Sequence, residues 1–144
     1  KQRKKYSGKK KKHTIKAQIV ADAKNLKIIC ISLCNGSIHD FKLFKDSQLP
    51  LPESIKVIAD TGYTGIHKIH NNSEIPKRSS KFKKLSKEDK KENMAISKRR
   101  IYIEHINRDI KCFKIFSYEY RNNLKTFALK FSLVCGIYNS LLRL

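Results

Sequence analysis

The residues best placed to do chemistry lie between Ser97 and Lys111, SKRRIYIEHINRDIK. Three residues separate Arg100 from Glu104, and six separate Glu104 from Lys111. Side chains three or four apart share a helix face. Arg100, Glu104, Asn107 and Lys111 therefore form one polar stripe, and Ile103, Ile106, Ile110 and Phe113 an apolar stripe beside it. A carboxylate at the border of a buried face, with a cation a turn or more away on each side, suits a metal ion held next to a phosphate. The same spacing also serves a plain Arg–Glu pair on a solvated helix, and the stretch alone favours that simpler reading.

A second carboxylate stands out. Ser54–Ala59 reads as a strand that delivers Asp60-Thr61-Gly62-Tyr63 at its C-terminal end. In α/β sheets, ligands and chemistry collect beyond the carboxyl ends of strands. An Asp before a glycine turn can equally cap that turn through its own side chain.

These residues need a scaffold, and the chain of 144 residues is long enough for one domain with a real core. His13–Ala21 and Leu26–Cys34 read as two strands joined by Asp22–Asn25, an antiparallel hairpin. Asn35-Gly36 ends the second strand at a residue that tolerates positive φ. Ser37–Lys45 reads as a short helix with Ser37 as cap and Asp40 as a weak capping box, and Pro50 and Pro52 then break the chain. Asn71–Lys84 is polar and aperiodic, a mobile loop. A long helix is predicted from about Lys87 to Phe113, opened by Ser86 and Asp89 as a capping box. A last helix, Leu124–Leu142, carries Phe127, Phe131, Val134, Tyr138 and Leu141 as a core stripe.

Composition points to a polyanion. Lys plus Arg number 33 against 12 Asp plus Glu, a net charge of +21. Such an excess opposes compactness unless something neutralises it, and nucleic acid is the natural partner. An anionic membrane fits less well, because neither end carries a basic amphipathic helix with a clean apolar face. The apolar run Phe131–Leu142 is too short to span a bilayer. Cys30, Cys34, Cys112 and Cys135 form no C-x-x-C pair, have no histidine at zinc-finger spacing, and read as buried free thiols in a reducing compartment. The chain opens KQRKK without Met, like the interior of a longer protein.

Strands followed by a helix that carries a carboxylate at the border of its apolar face suit a ribonuclease-H-like α/β layout: a mixed sheet, hairpin plus a further strand, flanked by helices. Four segments then carry a family likeness. They are YSGKKKKHTIK (Tyr6–Lys16), NGSIHDFKLF (Asn35–Phe44), ADTGYTGI (Ala59–Ile66) and SKRRIYIEHINRDIK with its R-x3-E-x6-K spacing. In this order they resemble the C-terminal part of the catalytic domain of DDE-superfamily insertion-sequence transposases, in the Harbinger-related branch. The likeness covers nearly the whole of residues 1–144, as one partial catalytic domain. It implies Asp60 and Glu104 as catalytic, metal-binding residues for Mg²⁺ (or Mn²⁺), and His39, Asp40 and Tyr63 as residues near the site. It implies Arg100 and Lys111 as contacts to DNA phosphates or partners of the carboxylates, and DNA, as transposon ends and target, as substrate. A homo-oligomer in the synaptic complex and a cytoplasmic, nucleoid-associated location go with it. Two departures are visible. The family's tyrosine three residues before the arginine is Ser97 here, and its first catalytic aspartate lies upstream of the YSGKKKK segment, where nothing corresponds. Asp22 sits in the hairpin turn and cannot replace it. The chain is thus expected to be N-terminally truncated, lacking the first catalytic strand. The alternative is a basic nucleic-acid-binding remnant without catalysis.

Both readings predict tight, sequence-tolerant binding to duplex DNA through Lys9, Lys10, Lys11, Lys12, Lys83, Lys84, Arg99 and Arg100. In titrations at several salt concentrations, log affinity falls against log salt with a slope of about −0.9 per phosphate neutralised. A slope near zero contradicts this.

Overall fold

A computed structural model of the chain describes residues 6–7, 12–81, 84–118 and 124–142. Along the chain run β1 (Tyr6–Ser7), β2 (Lys12–His13), β3 (Ile15–Ala21), β4 (Ile28–Asn35), α1 (Asp40–Asp46), β5 (Val57–Ile58), β6 (Ser73–Glu74), α2 (Lys87–Lys111), α3 (Lys114–Ser117) and α4 (Leu124–Leu141). Two 3₁₀ turns, Thr61–Tyr63 and Ile66–Lys68, lie between β5 and β6. The α/β composition expected from sequence is present. The chain divides into two compact units, Lys1–Lys16 with Cys34–Ile101, and Ala17–Leu33 with Tyr102–Leu144.

The β3–β4 hairpin forms where the alternating, β-branched sequence placed it. At its tip Asp22 Oδ1 accepts from the Lys24 N–H (2.8 Å), and the Asp22 N–H donates to the Lys27 carbonyl (2.9 Å). Leu26 turns with φ 59°, so β4 starts at Ile28 rather than at Leu26. At the open end the Gly36 N–H donates to the Thr14 carbonyl (2.8 Å). Gly36 serves here by its lack of a side chain rather than by positive φ, since a Cβ would overlap Thr14 Oγ1.

One expected feature of the sheet is corrected. Among the described residues, β5 pairs in parallel with β6, through Val57–Ser73 and Ile58–Glu74, and not with the hairpin. The strand is also two residues long rather than six. Pro50 and Pro52 precede it, and Asn72 and Glu74 carbonyls take the Val57 and Ala59 N–H groups (2.9 and 3.0 Å).

In the first unit the segment expected as a mobile loop is tied down. Glu74 accepts from Lys56 (2.6 Å) and pairs with Arg99 (2.5 Å). The Lys56 hydrogen bond, and then Arg99, hold the Glu74 carboxyl below its usual range. Lys77 Nζ bridges Asp89 (2.7 Å) and Glu92 (2.6 Å), while the Asn93 amide brackets the Lys77 backbone, accepting from its N–H (2.8 Å) and donating to its carbonyl (2.9 Å). The helix α2 opens with the expected capping box: the Asp89 N–H donates to Ser86 Oγ (3.0 Å) and the Ser86 N–H to Asp89 Oδ2 (3.1 Å).

The second unit is built around aromatic and aliphatic side chains. Ile28, Ile106, Ile110, Phe127, Phe131, Val134 and Cys135 are buried. Phe116 meets Phe127 and Phe131 edge-on, at 5.5 and 5.1 Å between ring centroids. The Asn139 amide brackets Ile28, accepting from its N–H and donating to its carbonyl, each at 2.8 Å. This ties α4 to β4. Two expected stripe members depart: Phe113 lies beyond α2 and is 42% exposed, and Leu141, in the last turn of α4, is 62% exposed. The thiols are free as expected, but only Cys34 and Cys135 are buried; Cys30 is half-buried and Cys112, just past the end of α2, is exposed. Burial pushes the Cys135 thiol up to about 11.

Replacing Asn139 by Leu, close to it in size, strips two polar backbone groups of Ile28 of their partners. The expected loss in urea unfolding is roughly 1–3 kcal/mol. An unchanged midpoint would show that this clamp does not hold α4.

Candidate active site

The Asp60 turn grows from the end of β5. Asp60 is extended (φ −88°, ψ 177°), and its Oδ1 accepts from the Gly62 N–H at 2.6 Å, opening the Thr61–Tyr63 turn. The Tyr63 N–H closes it on the Asp60 carbonyl (3.1 Å). The capping reading of Asp60 is therefore realised, through one of its two carboxylate oxygens.

The short helix α1 brings a second carboxylate to this turn. The helix starts at Asp40, not at Ser37 as the sequence suggested, and its cap is His39, whose Nδ1 accepts from the Phe41 N–H (3.3 Å). A turn in which the Ile38 N–H donates to the Asn35 carbonyl (3.0 Å) occupies the intervening residues and delays the helix. Asp40 Oδ1 pairs with Lys16 Nζ at 3.1 Å, and the same ammonium donates to the Ile38 carbonyl at 2.5 Å. Between the two carboxylates stands Gly62. A Cβ at this position would lie 2.8 Å from Asp60 Oδ1 and 2.9 Å from Asp40 Oδ2, so the two oxygens are within about 6 Å of each other. Only glycine leaves that space open.

Tyr63 completes the cluster. Its ring meets Phe44 edge-on at 6.1 Å. Burial first, then the charges of Asp40 and Asp60, push its phenol above the ordinary value. Arg78 reaches the same turn, its guanidinium donating to Thr61 Oγ1 at 3.5 Å.

Glu104 belongs to the second unit, exposed on α2. With Asn107, Arg108, Lys111 and Cys112 it lines an open surface hollow. The stripe read from spacing thus assembles Glu104, Asn107 and Lys111 on one surface. Arg100 is half-buried on the same helix. Arg99 is already engaged, since its guanidinium holds Glu74. Lys9, Lys10, Lys11 and Lys83 lie outside the described residues, and Lys12 enters only as backbone of β2.

The first unit therefore gathers Asp60, Asp40, His39 and Tyr63, and the second holds Glu104 with Lys111. Sequence reasoning missed Lys16, Gly62 and Arg78. Gly62 could have been suspected from its place beside an Asp at a strand end, but nothing in the local pattern marks Lys16, 24 residues before Asp40. Among the described residues no group of three or more His, Cys, Asp or Glu side chains is arranged to hold a metal ion. A Mg²⁺ site needs fewer, because that ion is commonly held by one or two carboxylates, waters and substrate phosphate. Asp60 fits such a site: it is half-buried, and no Lys or Arg among the described residues pairs with it.

The model of the family described as DDE superfamily endonuclease matches residues 1–139. The probable transposase for insertion sequence element IS702 of Microchaete diplosiphon is 49% identical over 138 residues, which span 96% of this chain and 50% of that protein. The chain thus spans about half the length of this curated relative. No solved structure matches.

Replacing Gly62 by Ala drives a methyl group against both carboxylates, and the expected cost is roughly 1–3 kcal/mol in thermal or urea unfolding. Gly136→Ala, in α4 where a Cβ meets nothing within 4 Å, is the control and is expected to be neutral or stabilising. Equal effects at the two glycines would refute the crowding at Gly62.

Proposed function

Because the chain belongs to the DDE superfamily endonuclease family, we propose that it is the C-terminal part of a transposase catalytic domain with a ribonuclease-H-like fold. The intact enzyme hydrolyses the phosphodiester at transposon ends and joins the freed 3′-hydroxyl to target DNA. The observation that carries this reading is Asp60, a carboxylate with no cation partner among the described residues, held at a strand end in a chain of net charge +21. The relative's description as a probable transposase supports it.

In this reading Asp60 and Glu104 hold Mg²⁺ or Mn²⁺. When bound, the divalent ion supplies Lewis-acid stabilisation of charge on the attacking and leaving oxygens. The chain's own residues do the rest. Gly62 fixes the Asp60 carboxylate through its N–H, so that one oxygen is spent on the turn and the other is left for the ion. Lys111 and Arg108, beside Glu104, meet the phosphate backbone and offset the charge of the scissile group. Arg78, whose guanidinium reaches the Thr61 hydroxyl of the same turn, is a further cation available to substrate phosphate. DNA is the substrate and partner, a homo-oligomer forms in the synaptic complex, and the enzyme works at the nucleoid in the cytoplasm. No helix among the described residues is long and apolar enough to cross a membrane.

The test is Mg²⁺-dependent nicking of a labelled duplex carrying a transposon end. It compares the 144-residue chain with the same chain joined to an upstream segment whose strand ends in Asp. Nicking is expected only in the joined protein, and is abolished by Asp60→Ala and by Glu104→Ala while salt-dependent DNA binding persists. Binding without cleavage in the joined protein would establish the alternative, a basic nucleic-acid-binding remnant.

A further inference from the structure

The Asp60 turn is backed by an ion pair that the two-carboxylate reading does not use. Asp40 is the first residue of α1, fixed by the His39 cap at one end of the Asn35–Ile38 turn. Its Oδ1 is held by Lys16 at 3.1 Å, and Lys16 is held in turn by the Ile38 carbonyl at 2.5 Å. Its Oδ2 is the atom that a Cβ on Gly62 would strike at 2.9 Å. The N–H of the same glycine holds Asp60 Oδ1 at 2.6 Å. Contacts therefore run from the Ile38 carbonyl through Lys16 to Asp40, and from the Gly62 N–H to Asp60, with Asp40 Oδ2 and Asp60 Oδ1 facing each other across the space that Gly62 leaves open.

We propose that Asp40, neutralised by Lys16, is a positioning residue that acts through Gly62 to fix the orientation of the Asp60 carboxylate. The proposal rests on the reading of Asp60 as a metal-holding residue. The difference between the two carboxylates carries it. Asp40 already has a cation at 3.1 Å, whereas Asp60 has none among the described residues. A free second carboxylate so close would repel Asp60 and push the turn open. Paired with Lys16 it becomes a near-neutral wedge, held in place because Lys16 is itself anchored to the Ile38 carbonyl. Groups that orient a ligand from behind typically govern metal affinity without touching the metal.

The experiment titrates the 144-residue chain with Tb³⁺, an oxygen-seeking cation whose luminescence a nearby tyrosine sensitises. The chain contains no Trp, and Tyr63 lies three residues after Asp60, so Tyr63→Phe identifies the signal from this site. Asp60→Asn is expected to abolish it. Asp40→Ala weakens Tb³⁺ affinity by roughly tenfold to a hundredfold. Asp40→Asn keeps an oxygen for Lys16 and stays within about threefold of the parent, a rescue that places it below the usual range for losing an orienting group. Luminescence lifetimes in H₂O and D₂O then count the waters on the ion, and Asp40→Asn leaves that number unchanged. Thermal melts of each variant confirm that titrations are read on folded protein. If Asp40→Asn loses as much affinity as Asp60→Asn and adds a water, Asp40 is a direct ligand and the positioning role is overturned. If Asp40→Ala changes nothing while Asp60→Asn abolishes binding, Asp40 is an inert neighbour and only this proposal falls. If Asp60→Asn leaves the titration unchanged, the metal-holding role of Asp60 falls, and this proposal with it.

Discussion

Charge imbalance is the constraint under which this protein folds. Thirty-three cationic side chains face twelve carboxylates, so repulsion works against every compact arrangement. The first unit answers with ion pairs in which one charged group serves two partners. Glu74 holds Lys56 and Arg99, and Lys77 is shared between Asp89 and Glu92. Pairs this exposed contribute little singly. Their value here lies in connection, because each joins segments distant in sequence: β5 to β6, and the stretch after β6 to α2. Salt that screens the repulsion also screens these pairs.

Amides do comparable work without charge. Asn93 brackets the Lys77 backbone and Asn139 brackets Ile28, each with one donated and one accepted hydrogen bond. An amide side chain can satisfy both polar groups of a residue that lacks a strand partner, which is the requirement at the start of a short sheet. In the second unit, which takes in Ala17–Leu33 of the hairpin, this clamp accompanies a cluster of three phenylalanine rings from α3 and α4.

Against this background the carboxylates of the Asp60 turn are distinct. Asp40 is compensated by Lys16, while Asp60 spends one oxygen on a backbone N–H and keeps the other. Capping a turn and holding a cation are compatible roles for a group with two oxygens. For the proposed cation-holding role, a turn fixed in advance lowers the entropy lost on binding, and the glycine keeps the approach clear. In the proposed function, the basic chain draws the polyanion and a small number of fixed carboxylates set where a cation sits.

Much of this was legible in the sequence. Alternation and β-branching gave the hairpin, Ser86 with Asp89 gave the start of α2, and the R-x3-E-x6-K spacing placed Glu104 and Lys111 on one surface. Those features depend on contacts within a few residues, where the chain's own geometry decides. The cap of α1 was misplaced because a turn closed by Asn35 competed with Ser37. The partner of β5, the anchoring of the segment after β6, and the exposure of Phe113, Cys112 and Leu141 were not legible either. By itself the sequence determined the charge, the local elements and which residue types could hold a cation beside a phosphate. Only the tertiary structure decided that Lys16 neutralises Asp40 and that Gly62 stands between Asp40 and Asp60, because those contacts join residues about twenty apart whose meeting depends on how strands and turns pack.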